Sequence, residues 1–483
     1  MLLPSDAESM VDDTMNGGVN YHFPLVFDDG IKWLVRVRQN PAGLSPIDFE
    51  QAVTRSEVAT LRYLHSHDLA VPKAWMDESA WLVPVITPDH PLAKHVEYLF
   101  CESLQGKPNR WPEFGKDSLT NPGEKDKALI EDFARFQIQL HQIPVATTQI
   151  GSLTYPDQDQ QVTPVIGPMV TSNWLHDIEP PYSGGPFRTL KERYLTQIDI
   201  CLGHIADRLL GTTDTLDTYL WHLQLRELVD SVPYWSEPID TGYIKHWDDK
   251  GDHLMVDDEG KLVGVIDWEC AYVTTEAEAF AAPSWLYSLA DSKSELTAAE
   301  KVLAESYERL GHPNLAHHVR NGKMYQRLLD IGVYRDYELD PVAQMEIIEV
   351  FEKTLPPDFL PPFRIGHEWR VYLMQRYSSD SKLAEVVAIA QWDREVEDEK
   401  AQDGKEEREA EHQAFWGMTF EQRKELKTRE RLLADETSSE GSEEDSDDDS
   451  EATSGVGSES CSEDGEGDRD LFKVELNCKD PLA

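Results

Sequence analysis

The chain has 483 residues, with 40% hydrophobic and 9% aromatic residues, enough for two or three domains or one large two-lobed fold with a sizeable core. It carries 45 basic against 91 acidic residues, a net charge of −46. Residues 390–483 hold 31 acidic and 12 basic residues, a net of −19, so the remaining −27 belongs to residues 1–389. Such a balance excludes duplex nucleic acid and anionic membrane as expected partners, because both need basic faces, and it is compatible with a cationic small molecule. Five scattered cysteines form no Cys-x-x-Cys pair, which argues against a disulfide framework or a zinc ribbon. The N-terminal MLLPSDAESMVDD lacks a basic segment and a long apolar core. No apolar run approaches the roughly 18 residues of a membrane span. The expected location is the cytoplasm.

Residues 15–38 read as strands: Asn16-Gly17-Gly18 and Asp28-Asp29-Gly30 are turn signals, and Trp33-Leu34-Val35-Arg36-Val37 is a strand. Residues 49–66 read as a helix with Val53, Val58, Leu61 and Leu64 on or near one face. Pro72 ends that unit. WLVPV (81–85) and HVEYLFCESL (95–104) read as two more strands. After Gly106 the pattern becomes helical, with a stripe of Leu129, Phe133, Phe136 and Leu140 over residues 127–142. Residues 145–185 read as loop with short strands, and 186–232 and 294–353 as mostly helical. Between those two blocks, Leu254–Val256 and Leu262–Ile266 are short apolar strands joined by an Asp-Glu-Gly turn.

Residues 391–434 read as a charged, partly helical arm. Residues 435–470 hold 16 acidic residues and one basic, bury too little apolar surface to offset ordering, and read as disordered. Ser438, Ser439, Ser442, Ser446 and Ser450 sit among acids, so the tail reads either as a solubilising extension or as a regulated one with a protein partner.

The chemistry-bearing residues surround the apolar hairpin: His246-Trp-Asp248-Asp-Lys-Gly-Asp-His253 precedes it and Ile266-Asp267-Trp268-Glu269 follows it. Taken singly, each feature has a plain reading. A His-x-Asp pair orients loops, Arg36 suits a surface ion pair, Glu57 a solvated helix face, and Gly17-Gly18 a hairpin turn. Their order and spacing together resemble the aminoglycoside phosphotransferase family, a branch of the protein-kinase-like fold, over about residues 15–380. The Asp-Gly-x-x-Trp entering the Arg36 strand and the Asp-Trp-Glu after the hairpin have the texture of its fungal-type members.

The resemblance implies an α+β, two-lobed protein-kinase-like fold. Its N-lobe would span residues 1–104, its mostly helical C-lobe 105–390, followed by the arm (391–434) and the acidic tail (435–483). It implies an ATP-dependent kinase that transfers the γ-phosphoryl group to a hydroxyl of a small molecule, with ATP and Mg²⁺ as cofactors. Asp248 would take the hydroxyl proton. Asp267 would hold Mg²⁺ through carboxylate oxygen. Arg36 would hold the phosphates, steadied by Glu57. Gly17 and Gly18 would let the first hairpin approach the phosphates, and the strand end at Cys101 to Leu104, near Glu102, would meet the adenine. His253 stands where the family's second metal ligand is usually Asn. His253 is carried with Asp267 as a metal residue, with three outcomes open: His253 does not touch the metal, the metal differs, or Asp249 or Asp252 supplies the oxygen. Arg36 stands where Lys is usual and adds a bidentate fork. A catalytically silent nucleotide- or protein-binding module is the alternative reading. A transition-metal site built from His246, Asp248, Asp249, Asp252 and His253 is another. Glu269, Glu276 and Glu278, after the hairpin, would draw an amine-bearing, cationic acceptor, or face water.

Overall fold

The computed structural model describes residues 20–38, 46–76, 98–109, 119–155, 163–171, 180–209, 214–287, 295–329, 341–351, 354–355, 359, 366–392 and 394. By its contacts the chain divides into one unit over Met1–Ala414 and another over Phe415–Ala483, and all described residues belong to the first. The Asn16-Gly17-Gly18 turn, the WLVPV strand, most of the charged arm and the whole acidic tail lie outside the described residues.

The N-terminal sheet begins with β1 (Asn20–Val26) and β2 (Lys32–Arg38), an antiparallel hairpin in register from Asn20 opposite Arg38 to Val26 opposite Lys32. Its turn closes through Gly30 at φ +86°, with Asp29 Oδ1 accepting the Ile31 N–H at 3.0 Å. Helix α1 (Ile47–His65) follows. Val53, Val58, Leu61 and Leu64 are all buried, and each such side chain is worth about 1.5–3 kcal/mol of transfer free energy. The sheet is completed by β3 (Ala74–Trp75) and β4 (Tyr98–Glu102) in the order β1-β2-β4-β3. The sequence reading stops this unit at Pro72 and misses β3, because two residues carry no periodicity.

From β4 the chain passes through residues 103–106 into β5 (Lys107–Pro108), which pairs with a different sheet. The crossing point is Gly106, at φ +100°, where an added Cβ would stand 2.5 Å from the Val256 carbonyl oxygen. Gly106→Ala therefore combines a left-handed conformation with a backbone clash. It is expected to lower stability by about 2–4 kcal/mol, read as a lower denaturant midpoint; an unchanged midpoint would contradict this close passage.

Beyond the crossing, α2 (Glu124–His141) buries its Leu129, Phe133, Phe136 and Leu140 stripe, with Phe133 edge-on to Trp285 at 5.3 Å. Short strands β6 (Ser152–Thr154) and β7 (Val165–Gly167) pair, and α3 (Leu190–Ala206) packs against α4 (Thr215–Asp230). The central stretch holds four strands: β8 (Tyr243–Lys245), β9 (Leu254–Val256), β10 (Leu262–Val265) and β11 (Tyr272–Thr274). β9 and β10 form the inner hairpin, while β8 pairs antiparallel with β11 outside it. The outer pair escapes the sequence reading, three residues per strand being too few to show alternation. Helices α5 (Glu276–Ala279), α6 (Ala298–Arg309), α7 (Pro313–Asn321), α8 (Lys323–Arg327), α9 (Pro341–Phe351), α10 (His367–Arg376) and α11 (Leu383–Ile389) complete the described fold. One core joins α1, β4 and α2 to the central strands and α6, and a second fills the space among α3, α4, α10 and α11. No helix among the described residues is long and apolar enough to cross a membrane.

Candidate active site

Nested hairpins explain why two loops distant in sequence meet. The loop leaving β8 (246–253) and the loop leaving β10 (266–271) both lie between the outer and inner strand pairs. They are stitched together: His246 Nε2 donates to the Ile266 carbonyl at 2.9 Å, and the Ile266 N–H donates to the His253 carbonyl at 2.9 Å. The His246 ring stacks on His253 with centroids 4.3 Å apart and meets Trp268 edge-on at 4.9 Å. Trp268 is 1% exposed, and its indole N–H donates to the Val265 carbonyl at 3.1 Å.

The buried His253 imidazole is part of this packing. Its Nδ1 accepts the Gly251 N–H at 3.2 Å, and burial, aided by His246, holds its pKa well below the ordinary 6.5, so it is neutral. Among the described residues no three His, Cys, Asp or Glu side chains are arranged to hold a metal ion. The five-residue transition-metal site therefore has no support, and the Gly251 contact leaves Nε2 as the only ring nitrogen of His253 for the expected place beside Asp267 at a metal. Asp249 is committed as well: it is buried, its Oδ1 accepts the Ser284 N–H at 2.9 Å, and its Oδ2 faces Lys245 Nζ at 3.6 Å.

Arg36 is the junction of the site. Its Nη1 pairs with Glu57 of α1, while its Nη2 reaches Asp267 Oδ1 at 2.5 Å and Glu269 Oε2 at 2.8 Å. The fork of a guanidinium allows one side chain to do this, where an ammonium would act as a single point. Arg38, two residues on and so on the same face of β2, pairs with Glu50 of α1 and, through Nη1, with Glu269 Oε1 at 2.5 Å. Asn20, directly across the hairpin from Arg38, donates from Nδ2 to Glu269 Oε2 at 2.8 Å. Sequence reasoning missed Arg38, Glu50 and Asn20. The available signal was a matched pair of spacings: arginines at i and i+2 on a strand opposite glutamates at i and i+7 on a helix, each on one face.

Electrostatics follow from sharing. Burial is the largest influence on Glu57, and with the neighbouring Glu269 and Asp267 carboxylates it pushes the Glu57 acid up to about 8 although Arg36 lies against it. Burial alone would raise Asp267 too, but Arg36, helped by His246 and Lys250, overcomes it and holds that carboxyl below the usual range. Glu269 is likewise held low, Arg36 and Arg38 together overcoming its burial. Two guanidinium groups thus face the Glu50, Asp267 and Glu269 carboxylates, with the raised Glu57 acid beside them, an excess of negative charge. The side chains of Glu50, Glu57 and Glu269 are 5%, 4% and 12% exposed, whereas Asp267 is 41% exposed. Asp267 also sits at φ +64°, a left-handed conformation that a non-glycine residue adopts at a cost of about 1–3 kcal/mol.

Asp248 is half-exposed and accepts from Lys250 Nζ at 2.6 Å, and Asp252 lies 3.7 Å from the same ammonium. Asp267, in the other loop, also acts on Lys250 electrostatically. Glu102 ends β4, and its N–H and carboxylate are both turned to the Lys73 backbone. Gly18 lies outside the described residues. The three glutamates that would draw a cationic acceptor or face water have partners within the protein. Glu269 sits in the arginine cluster. Glu276 accepts from His141 Nε2 at 3.0 Å and Asn314 Nδ2 at 2.9 Å. Glu278 is buried, bound by Arg193 Nη1 at 2.6 and 2.7 Å and by the Tyr194 and Tyr272 hydroxyls at 3.0 Å each.

Magnesium needs only one or two carboxylates when phosphate oxygens and water complete its shell. A negatively charged cluster whose single solvent-reaching carboxylate is Asp267, with Asp252 half-exposed near it, fits such an ion.

Residues 28–312 match the model of a phosphotransferase enzyme family. Among solved structures, the chain is similar to a thermostable mutant of an aminoglycoside phosphotransferase, at 15% identity and a TM-score of 0.37, covering 70% of this chain and 92% of that one. It is also similar to an ethanolamine kinase from Plasmodium vivax, at 11% identity and a TM-score of 0.38, covering 70% and 83%. A putative fructosamine-3-kinase from Thermobifida fusca matches at 14% identity and a TM-score of 0.39, covering 70% and 91%. No curated protein matches.

Proposed function

Because the chain belongs to the phosphotransferase enzyme family and has its protein-kinase-like fold, we propose that it is an ATP-dependent kinase that phosphorylates a hydroxyl group of a small molecule in the cytoplasm. The observation that carries this reading is the Arg36 guanidinium, which joins Glu57 of α1 to Asp267 of the loop after the inner hairpin.

Phosphoryl transfer leaves a protein little covalent work, so catalysis is positioning and charge neutralisation. The N-lobe, residues 1–104, would cover the nucleotide, with Gly18 near its phosphates and the 102–106 crossing near its base. The C-lobe, 105–390, would carry the reacting loops. Arg36 would turn its fork to the phosphates, and Glu57 would keep the guanidinium aimed. Asp267, with Asp252 near it, would hold Mg²⁺, which when bound supplies charge neutralisation between phosphate oxygens. Asp248, half-exposed beside them, would accept the acceptor's hydroxyl proton as the oxygen attacks the γ-phosphorus. The Lys250 ammonium would steady its carboxylate. With Glu276 and Glu278 occupied by the protein itself, the acceptor's identity rests on other residues. The acidic tail would serve a protein partner.

The test is an ATP-consumption screen over small hydroxyl compounds, with Mg²⁺ and Mn²⁺ side by side. Consumption that requires a particular acceptor supports the proposal; none with any acceptor at either metal counts against it. The second reading, a silent nucleotide- or protein-binding module, is favoured by His253, a buried imidazole at the position where an Asn side chain would offer a metal an oxygen. Acceptor-dependent turnover would eliminate it.

A further inference from the structure

Glu269 lies between two non-glycine residues in left-handed conformations, Asp267 at φ +64° and Cys270 at φ +63°. Such residues persist only where their surroundings over-determine them. What surrounds this carboxylate comes from the first hairpin: Asn20 Nδ2 and Arg36 Nη2 on Oε2, each at 2.8 Å, and Arg38 Nη1 on Oε1 at 2.5 Å. Arg36 is shared with Glu57 and Asp267, and its fork must turn if phosphate arrives. Arg38 has no such second duty. Its side chain is 10% exposed, and it is held on both sides, by Glu50 and by Glu269. A guanidinium that bridges a carboxylate of α1 and a carboxylate of the 266–271 loop is well placed to hold that loop.

We propose that Arg38, with Asn20, is a positioning residue: through the Glu269 carboxylate it holds the Asp267 loop against the first hairpin, and through Glu50 it ties that hold to helix α1. For a kinase the consequence is a second link between α1 and the metal-binding loop, parallel to Glu57–Arg36–Asp267. That link stays in place when Arg36 turns to the nucleotide. The small apolar cluster of Phe49, Val53, Val170 and Cys270 supports the same juxtaposition, since it packs α1 directly on the loop.

This inference rests on the proposed function only for its effect on nucleotide binding, so two measurements separate them. The first is amide hydrogen exchange in the full chain without ligand. Arg38→Met, Glu269→Gln and Asn20→Ala are each expected to speed exchange across residues 266–271 by about tenfold. Exchange in α6 should stay unchanged, and the double variant Arg38→Met/Glu269→Gln should add nothing to either single one. Unchanged exchange at 266–271, or fully additive effects, would overturn the proposal. If Arg38→Met loosens the whole chain, Asn20→Ala, which leaves every charge in place, decides.

The second is calorimetry with ATP, with and without Mg²⁺. Arg38→Met and Arg38→Lys are expected to weaken Mg·ATP by about tenfold and leave metal-free ATP affinity unchanged. Lys fails to rescue because an ammonium cannot span Glu50 and Glu269. Equal weakening in both arms would make Arg38 a phosphate ligand and overturn its positioning role. A wild-type chain that binds no nucleotide defeats the proposed function, and the exchange result alone then decides this inference.

Discussion

Asp248→Asn is expected to lower turnover with the chain's acceptor by about 10²- to 10⁴-fold, while Mg·ATP still binds. An amide matches the carboxylate in size and keeps an oxygen toward Lys250, which lies 2.6 Å away, but it cannot take a proton. The loss should appear in kcat, because the group acts on the hydroxyl only as phosphorus is attacked. Single-turnover measurement with wild type and variant at saturating ATP reads it directly. Undiminished turnover would show that Asp248 is a structural loop residue and that the proton leaves by another route.

Arg193→Met has the largest expected effect on stability, about 3–5 kcal/mol. Arg193 and Glu278 are both 3% exposed in their side chains and face each other at 2.6 Å, with the guanidinium lying over the Tyr194 and Tyr272 rings. Burial would raise the Glu278 acid, and Arg193, the principal opposing charge, keeps it below the usual range instead. Removing Arg193 leaves that carboxylate buried and unpaired. Denaturant unfolding should show the loss, and Arg193→Met/Glu278→Gln should recover part of it. A small loss of stability with a changed acceptor KM would return Glu278 to the acceptor pocket.

These two residues mark the boundary of what the sequence makes legible. Long periodic elements could be read: α1 and α2 show their buried stripes because 16 or more residues repeat the pattern over several turns. The inner hairpin could be read from two apolar runs around an Asp-Glu-Gly turn. Strands β3, β8 and β11 could not, because two or three residues hold no period. Among the site residues, Arg36, Glu57 and Asp267 were singled out by order and spacing, and the fold puts them in contact. Arg38, Asn20 and Glu50 were not, since an arginine on a short strand looks the same whether it meets solvent or two carboxylates. Glu269, Glu276 and Glu278 looked like a run of free acids. The partners at Asn20, Arg38, His141, Arg193 and His318 lie 42 to 249 positions away in sequence, and no local pattern announces that. The packing of His253, on the His246 ring and with Nδ1 accepting the Gly251 N–H, is likewise set by the fold rather than by its place in a motif.

The most direct measurement of the central claim is titration calorimetry of the full chain with ATP and Mg²⁺, beside Asp267→Ala. Metal-dependent binding by the wild type that disappears in the variant is the predicted result. Equal affinity in both proteins, or no heat with Mg²⁺ or Mn²⁺ present, would contradict a nucleotide site built on Arg36 and Asp267.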